Sequence, residues 1–180
     1  MQVFLYFLIA SVGCFGLISC DRAANSSDQV NKPQAASPQP SLSGSTVFDA
    51  VLPLKTEVPL RLPRYLATEN ETYPLYANVT SASPSKYEIE LGFTPDCSGG
   101  NVCHYGQVAG RRIKAGEGHA KGKSIRLATG IIGYFVDATC GATCSDSTLT
   151  WDENGYRYTV ALKAEKLGTL QKVAESAMVK

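Results

Sequence analysis

Alternation is clearest over residues 86–93, where Tyr87, Ile89, Leu91 and Phe93 interleave with Lys86, Glu88, Glu90 and Gly92. A period of two is that of a strand with one buried and one wet face. Residues 131–138 (IIGYFVDA) are apolar at nearly every position and predict a central strand, with a shorter strand at 124–128 before it and Thr129-Gly130 as the break. Residues 149–151 and 156–162 flank Asp152-Glu153-Asn154-Gly155, whose Asn-Gly supplies the positive φ angles of a tight hairpin. The period then changes. Leu170, Val173, Ala174, Ala177 and Met178 recur at the spacing of a one-sided helix, with Thr169 placed to cap its start. Upstream, Pro53, Pro59, Pro63 and Pro74 punctuate a less regular stretch. It predicts a short helix near 48–52 and extended segments at 58–62 and 75–80, at a sheet edge where proline does least damage. Strands closed by a helix predict an α+β domain: an antiparallel meander of about five to seven strands with the C-terminal helix on one face.

The amino-terminal region has a different pattern. Residues 1–19 (MQVFLYFLIASVGCFGLIS) form an apolar run of secretory-signal length ending in small residues, with only Gln2 where a basic residue is usual. A run of about 20 apolar residues would also just cross a bilayer, so length alone leaves a retained helix open. The tetrapeptide Leu17-Ile18-Ser19-Cys20 resembles the lipobox of bacterial lipoproteins. That resemblance implies a diacylglyceryl group on the Cys20 sulfur and cleavage just before it. Residues 21–46 are rich in Ala, Ser, Pro, Asn and Gln and hold too little apolar surface to offset their ordering entropy. They read as a linker that would reach roughly 30 Å as a flexible coil. The expected organisation is a signal peptide at 1–19, a lipidated cysteine with its linker at 20–46, and one domain at 47–180.

Charge changes the picture by exclusion. With 17 basic and 16 acidic side chains the net charge is +1, which speaks against a broadly basic nucleic-acid binder. Arg111, Arg112, Lys114, Lys121 and Lys123 nevertheless crowd one Gly-rich stretch, RRIKAGEGHAKGK. As a mobile loop it would be a place to touch anionic lipid or polysaccharide, while the plainer expectation is a solvated connection.

The closing run LTWDENGYRYTVALKAEKLGTLQKVAESAM resembles the end of an uncharacterised domain family of bacterial sporulation lipoproteins and anti-sigma-factor-like membrane proteins. The matching residues are Trp151, Gly155, Tyr156, Tyr158 and Ala174-Glu175-Ser176. The preceding LATGIIGYFVDA, and LRLPRYL at residues 60–66, are similar to that family's glycine-containing strand and opening Leu-Pro segment. The likeness is at motif level over about two-thirds of the domain. It implies a compact extracytoplasmic sheet-plus-helix module with no catalytic residues to carry over. The cysteine loops fall outside the pattern and suggest a separate branch, such as similar lipoproteins of cyanobacteria.

Those cysteines are Cys97, Cys103, Cys140 and Cys144, two close pairs in Gly-, Ser- and Thr-rich segments. In an exported chain such an even set predicts disulfides. Proximity favours local pairing, although rings this small stabilise by only about 2 kcal/mol each, against roughly 4 kcal/mol for a Cys97 to Cys140 bridge. The sharper alternative is a zinc site built from the four thiolates and His104, but the two pairs do not both show the usual two-to-four-residue spacing, and exported thiols usually oxidise first.

Few other groups offer chemistry. His104 follows a cysteine and His119 sits in the basic stretch, without any accompanying hydrolase or phosphate-binding motif. Asp146, Asp152, Glu153 and Asn154 miss the calcium-loop spacing and read as turn residues. Trp151, Tyr156 and Tyr158 would line a groove or, more commonly at strand spacing, pack beneath the helix. Asn25, Asn70 and Asn78 begin glycosylation triplets that matter only in a eukaryotic secretory pathway. The sequence thus predicts a cell-envelope protein held in the membrane by the lipid on Cys20, facing the periplasm or exterior. It would be a non-catalytic binding module for another envelope protein or a cell-wall polymer, with no cofactor and no nucleic acid. The alternatives are an envelope enzyme or zinc protein using His104, and an extracytoplasmic sensor.

Overall fold

The computed structural model describes residues 41–67, 73–128 and 130–179, with side chains from residue 46 onward; Cys20, Asn25 and Asn70 lie outside this range. Chain order is β1 (Ser41–Ser43), α1 (Gly44–Phe48), a 3-10 turn (Asp49–Val51), then β2 (Tyr65–Ala67), β3 (Tyr76–Ser83), β4 (Lys86–Gly92) and β5 (His104–Arg112). It continues with β6 (Lys123–Arg126), β7 (Ile132–Val136), β8 (Asp146–Glu153), β9 (Tyr156–Lys163) and α2 (Leu167–Met178). Strands β1 and β2 pair as a small separate ladder, so pairing already begins inside the stretch read as linker.

The other seven strands form one antiparallel sheet in the order β3-β4-β5-β9-β8-β7-β6. It consists of two meanders laid side by side. The first runs β3-β4-β5 and the second β6-β7-β8-β9, and the β5–β9 ladder joins them from Gly106↔Leu162 to Arg112↔Tyr156. Consecutive pairings are local hairpins, whereas this central one joins residues about fifty apart in the chain. The predicted α+β architecture and the sheet-packed C-terminal helix are present.

One sheet face is sealed. Tyr87, Ile89, Leu91, Val108, Leu149, Trp151, Tyr158, Val160 and Leu162 point to it. Helix α2 covers the β8–β9 side with Leu170, Val173, Ala174, Ala177 and Met178, the five residues the periodicity singled out. Val47, Phe48 and Val58 add apolar cover from the amino-terminal segment. At roughly 25 cal/mol per Å² of apolar surface removed from water, a side chain the size of Leu170 contributes ~2–3 kcal/mol. Trp151 and Tyr158 belong to this core, with ring centroids 5.6 Å apart, so neither lines a ligand groove. The indole N–H of Trp151 is buried without an acceptor.

Several sequence expectations shift. Residues 131–138 do not make a central strand: β7 is second from the sheet edge, and Ile132 and Val136 lie exposed on the uncovered face. An apolar run signals burial on both faces only when both faces are covered. Residues 58–62 stay irregular outside the sheet, while 75–80 falls largely within β3 at the edge, as expected. The helix near 48–52 is instead α1 followed by the 3-10 turn. Helix α2 begins at Leu167 without a side-chain cap, and Thr169 lies inside it with its N–H bonded to the Lys166 carbonyl. At the hairpin tip Asn154 and Gly155 have φ of 53° and 81°, the left-handed pair that a two-residue reversal requires.

Strand β5 is absent from the sequence reading because the core-facing positions that alternate along it beyond the bulge are Gly106, Val108 and Gly110, and two of these three have no side chain. The neighbours fill the space. A Cβ on Gly110 would lie 2.4 Å from the ring of the fully buried Tyr87. Tyr87 is also fixed by its hydroxyl, which accepts the Arg61 N–H at 3.1 Å. Gly110→Ala is therefore expected to cost about 1–3 kcal/mol by overpacking. Urea denaturation should show a lower midpoint at unchanged slope; an unaltered midpoint would mean that the Tyr87 ring is not held as described.

Candidate functional site

Among the described residues, no helix or strand covers the opposite face of the seven-stranded sheet. Its floor is small and polar where β5, β9 and β8 run together: Gln107, Ala109, Thr159, Ala161, Thr148 and Thr150, with Thr150 and Thr159 sharing a hydroxyl hydrogen bond at 3.0 Å. At ~3.3 Å per residue the floor runs about 20 Å between two charged ends. Near one end lies a hollow of about 200 Å³ lined by Lys86, Glu88, Gln107, Ala109, Arg157 and Thr159.

The first end is built around His104. A bulge in β5 places Gly106 opposite Leu91 but His104 opposite Gly92, so Tyr105 is the extra residue. Regular alternation would put His104 on the same face as Gly106, in the core. The bulge turns it to the open face and sends Tyr105 inward, where its hydroxyl donates to the Ala67 carbonyl. There His104 Nδ1 meets Glu90 Oε1 at 2.5 Å, and Nε2 lies 2.9 Å from both oxygens of Asp146. The His104 side chain is 15% exposed and that of Glu90 7%. With a carboxylate at each ring nitrogen, the arrangement favours the imidazolium, the form that can donate to both. Burial works against that charge, but the hydrogen bonds to Glu90 and Asp146, with their negative charges, outweigh it and hold the pKa above its ordinary value. In that form neither nitrogen has a lone pair to offer as general base or metal ligand. The carboxylates sit on opposite sides of the ring and cannot converge with it on one ion. Asp146, read from sequence as a turn residue, instead opens β8 and reaches across the end of β9 to β5.

Both disulfides lie at this end. Cys97–Cys103 and Cys140–Cys144 are the local pairs, with Cα separations of 5.7 and 4.0 Å, so the long Cys97 to Cys140 bridge is not formed and the four sulfurs are engaged with one another. Cys97 is buried against Gly92, while Cys140 is exposed. Lys163 at the end of β9 donates to the Asn101 carbonyl of the first loop, and the Ala164 N–H donates to Ser145 of the second at 3.2 Å. Asn78 on β3 donates to the Cys97 carbonyl at 3.4 Å.

The second end belongs to the connection from β5 to β6, which crosses the open face above β9, β8 and β7. Arg157, its side chain only 10% exposed, holds Asp152 through Nε and Nη2, Glu117 through Nη1 at 2.7 Å, and the Gly118 carbonyl at 2.7 Å. Arg111 forks onto both oxygens of Glu117. His119 stacks on Tyr134 with ring centroids 6.0 Å apart and approaches Asp152 at 3.5 Å. Glu117 is pushed down to about 2 by Arg111 first, then by the Lys114 N–H and the Arg157 charge.

The basic stretch is therefore tied down near its start. Arg111 and Arg112 are the last residues of β5: Arg111 is neutralised by Glu117, and Arg112 faces Glu57 at 3.4 Å and the Tyr156 ring. Lys114, Lys121 and Lys123 are exposed. The five cations are thus not one patch. Glu117, the one acid in this stretch, is the residue that straps the connection down. Glu153 likewise leaves the hairpin tip to pair with Arg61 at 2.7 and 3.0 Å, which clips the amino-terminal segment to the sheet. No family model matches the chain, and searches among curated proteins and solved structures found no similar one. None of the helices among the described residues is long and apolar enough to cross a membrane.

Two outcomes are expected. Because the folded pKa of His104 is raised, its contribution to stability is fully present below the unfolded value of about 6.5 and is lost as pH rises through the folded value. Denaturation across pH 5–9 should show this decline, and His104→Ala should remove it while costing about 3 kcal/mol at pH 6, where Glu90 would be left buried beside no cation. A pH profile unchanged by the substitution would contradict the imidazolium. For the strap, Glu117→Gln should release the crossing, and limited trypsin digestion should cut after Lys114 and Lys121 several-fold faster than in the parent protein.

Proposed function

We propose that this protein is a lipid-anchored extracytoplasmic component of the bacterial cell envelope, acting as a non-catalytic binding module. A diacylglyceryl group on Cys20 would hold it at the cell or outer membrane, the linker would let the domain stand clear of the lipid, and the open sheet face would take the partner. The observation that carries the reading is a domain stapled by two disulfides, suited to an oxidising compartment, in which one sheet face is sealed and the other left open.

The open face favours a cell-wall polymer over a globular envelope protein. Its floor is hydroxyl-rich, and its charges are largely spent on one another: Glu90–His104–Asp146 at one end, and Arg111–Glu117–Arg157–Asp152 at the other, where Lys86 and Glu88 pair at 3.3 Å on the neighbouring strand. A surface with its charges paired internally suits an extended polar chain bound by hydrogen bonds rather than an anionic surface bound by free cations. Catalysis is not part of the proposal, since His104 has no free nitrogen in this arrangement.

Labelling with radioactive palmitate should mark the parent protein and not Cys20→Ala, with the variant released from membranes. Purified protein should cosediment with cell-wall sacculi, and Thr159→Arg, which fills the floor without touching the core, should reduce the bound fraction at least fivefold. Labelling without cosedimentation would leave the anchor and remove the polymer; absence of labelling would remove the anchor.

A further inference from the structure

The two disulfides are not equivalent. Cys97 is 4% exposed, and a Cβ on Gly92 would come within 2.4 Å of its Cβ, so the first pair is wedged against the end of β4. The second pair closes a loop, Cys140-Gly141-Ala142-Thr143-Cys144, in which Cys140 and the three residues between the cysteines are exposed.

That loop is also held shut without its sulfurs. Gly141 N–H donates to the Thr143 carbonyl at 3.0 Å, Ser145 N–H to the Thr139 carbonyl at 3.0 Å, and Thr139 N–H to the Ser145 hydroxyl at 2.9 Å. Just outside, Ala138 N–H reaches the fully buried Ser147 hydroxyl at 3.0 Å. Cys140 and Cys144 face each other as an isolated antiparallel bridge with Cα atoms 4.0 Å apart. Breaking the S–S bond would leave two thiols side by side in the same frame, ready to close again. The nearest carboxylates in sequence are occupied: Asp137 accepts from Ala138 N–H and the Ser147 hydroxyl, and Asp146 from His104.

We propose that Cys140–Cys144 is a thiol–disulfide exchange site that takes two electrons from an envelope dithiol. A thiolate of the donor attacks one accessible sulfur, forming a mixed disulfide and releasing the other cysteine as a thiolate. The donor's second thiol then displaces the first cysteine, so the donor ends as a disulfide and Cys140 and Cys144 end as thiols, having gained two electrons and two protons. Both loops are hydrogen-bonded independently of their sulfurs, so access sets this pair apart: Cys140 is exposed where Cys97 is buried. The physiological setting rests on the export reading above, whereas the chemistry belongs to the folded domain.

Full-length purified protein is placed in mixtures of reduced and oxidised dithiothreitol, quenched by alkylation at intervals, and mapped by peptide mass spectrometry. Cys140 and Cys144 should be alkylated at least tenfold faster than Cys97 and Cys103, with the near-ultraviolet circular dichroism of the core unchanged, and should re-oxidise when the reductant is removed. A Cys140→Ser, Cys144→Ser double variant should keep the native spectrum. Equal rates for the two pairs, loss of the core signal together with the second pair, or a double variant that does not fold would each overturn the assignment. Failure of palmitate labelling would leave these rates untouched, so the two readings fail separately.

Discussion

The architecture depends on the ladder between β5 and β9. Every other pairing in the large sheet joins strands adjacent in sequence and would form as a local hairpin, but neither meander can bury its apolar face alone. Helix α2 covers the β8–β9 half, the amino-terminal segment supplies apolar cover of its own, and the β5–β9 register turns these two half-covered surfaces into one core. The glycines of β5 make that register possible. Leu162 and Tyr87 lean into the spaces at Gly106 and Gly110, so the strand with least apolar bulk lies at the centre of the packing.

The same strand organises the open face. Its bulge delivers His104 to Glu90 and Asp146, so that one imidazolium ties β4, β5 and β8 together at the disulfide end. Its last residues deliver Arg111 to Glu117 at the opposite end, where Arg157 of β9 completes the arrangement. Charges that look scattered in sequence are brought into two compensated groups, and the middle of the face is left to hydroxyls, an amide and methyl groups. Surface ion pairs taken singly stabilise little. These are partly buried, multiply bonded and placed where the crossing connection and the disulfide loops would otherwise be free to move.

Much of this was legible in the sequence where periodicity had a single cause. The helix face from Leu170 to Met178, the alternation of Tyr87, Ile89 and Leu91, the Asn154-Gly155 reversal and the local cysteine pairing all follow from short-range geometry. What was not legible depends on distant partners. Strand β5 gave no strand signal because two of its alternating core positions, Gly106 and Gly110, are glycines filled from neighbouring strands. The 131–138 run looked central because sequence cannot tell which face of a sheet a helix will cover. His104 was noted as a candidate and Glu117 was not, and the importance of each comes from a distant partner: Asp146, forty-two residues away, and Arg157, forty residues away. No local pattern encodes such pairings.

The strand order also constrains how the chain can reach its native state. A polypeptide delivered amino end first presents β3, β4 and β5 early, and β5 then waits with a full row of unpaired amides and carbonyls until β9, almost the last element, arrives. Such a bare edge is a template for misassembly. Its few bulky side chains, and the arginines at its tip, make it a poor one for another chain to copy, so the glycines that suit β5 to the finished core also guard the molecule while it is half made.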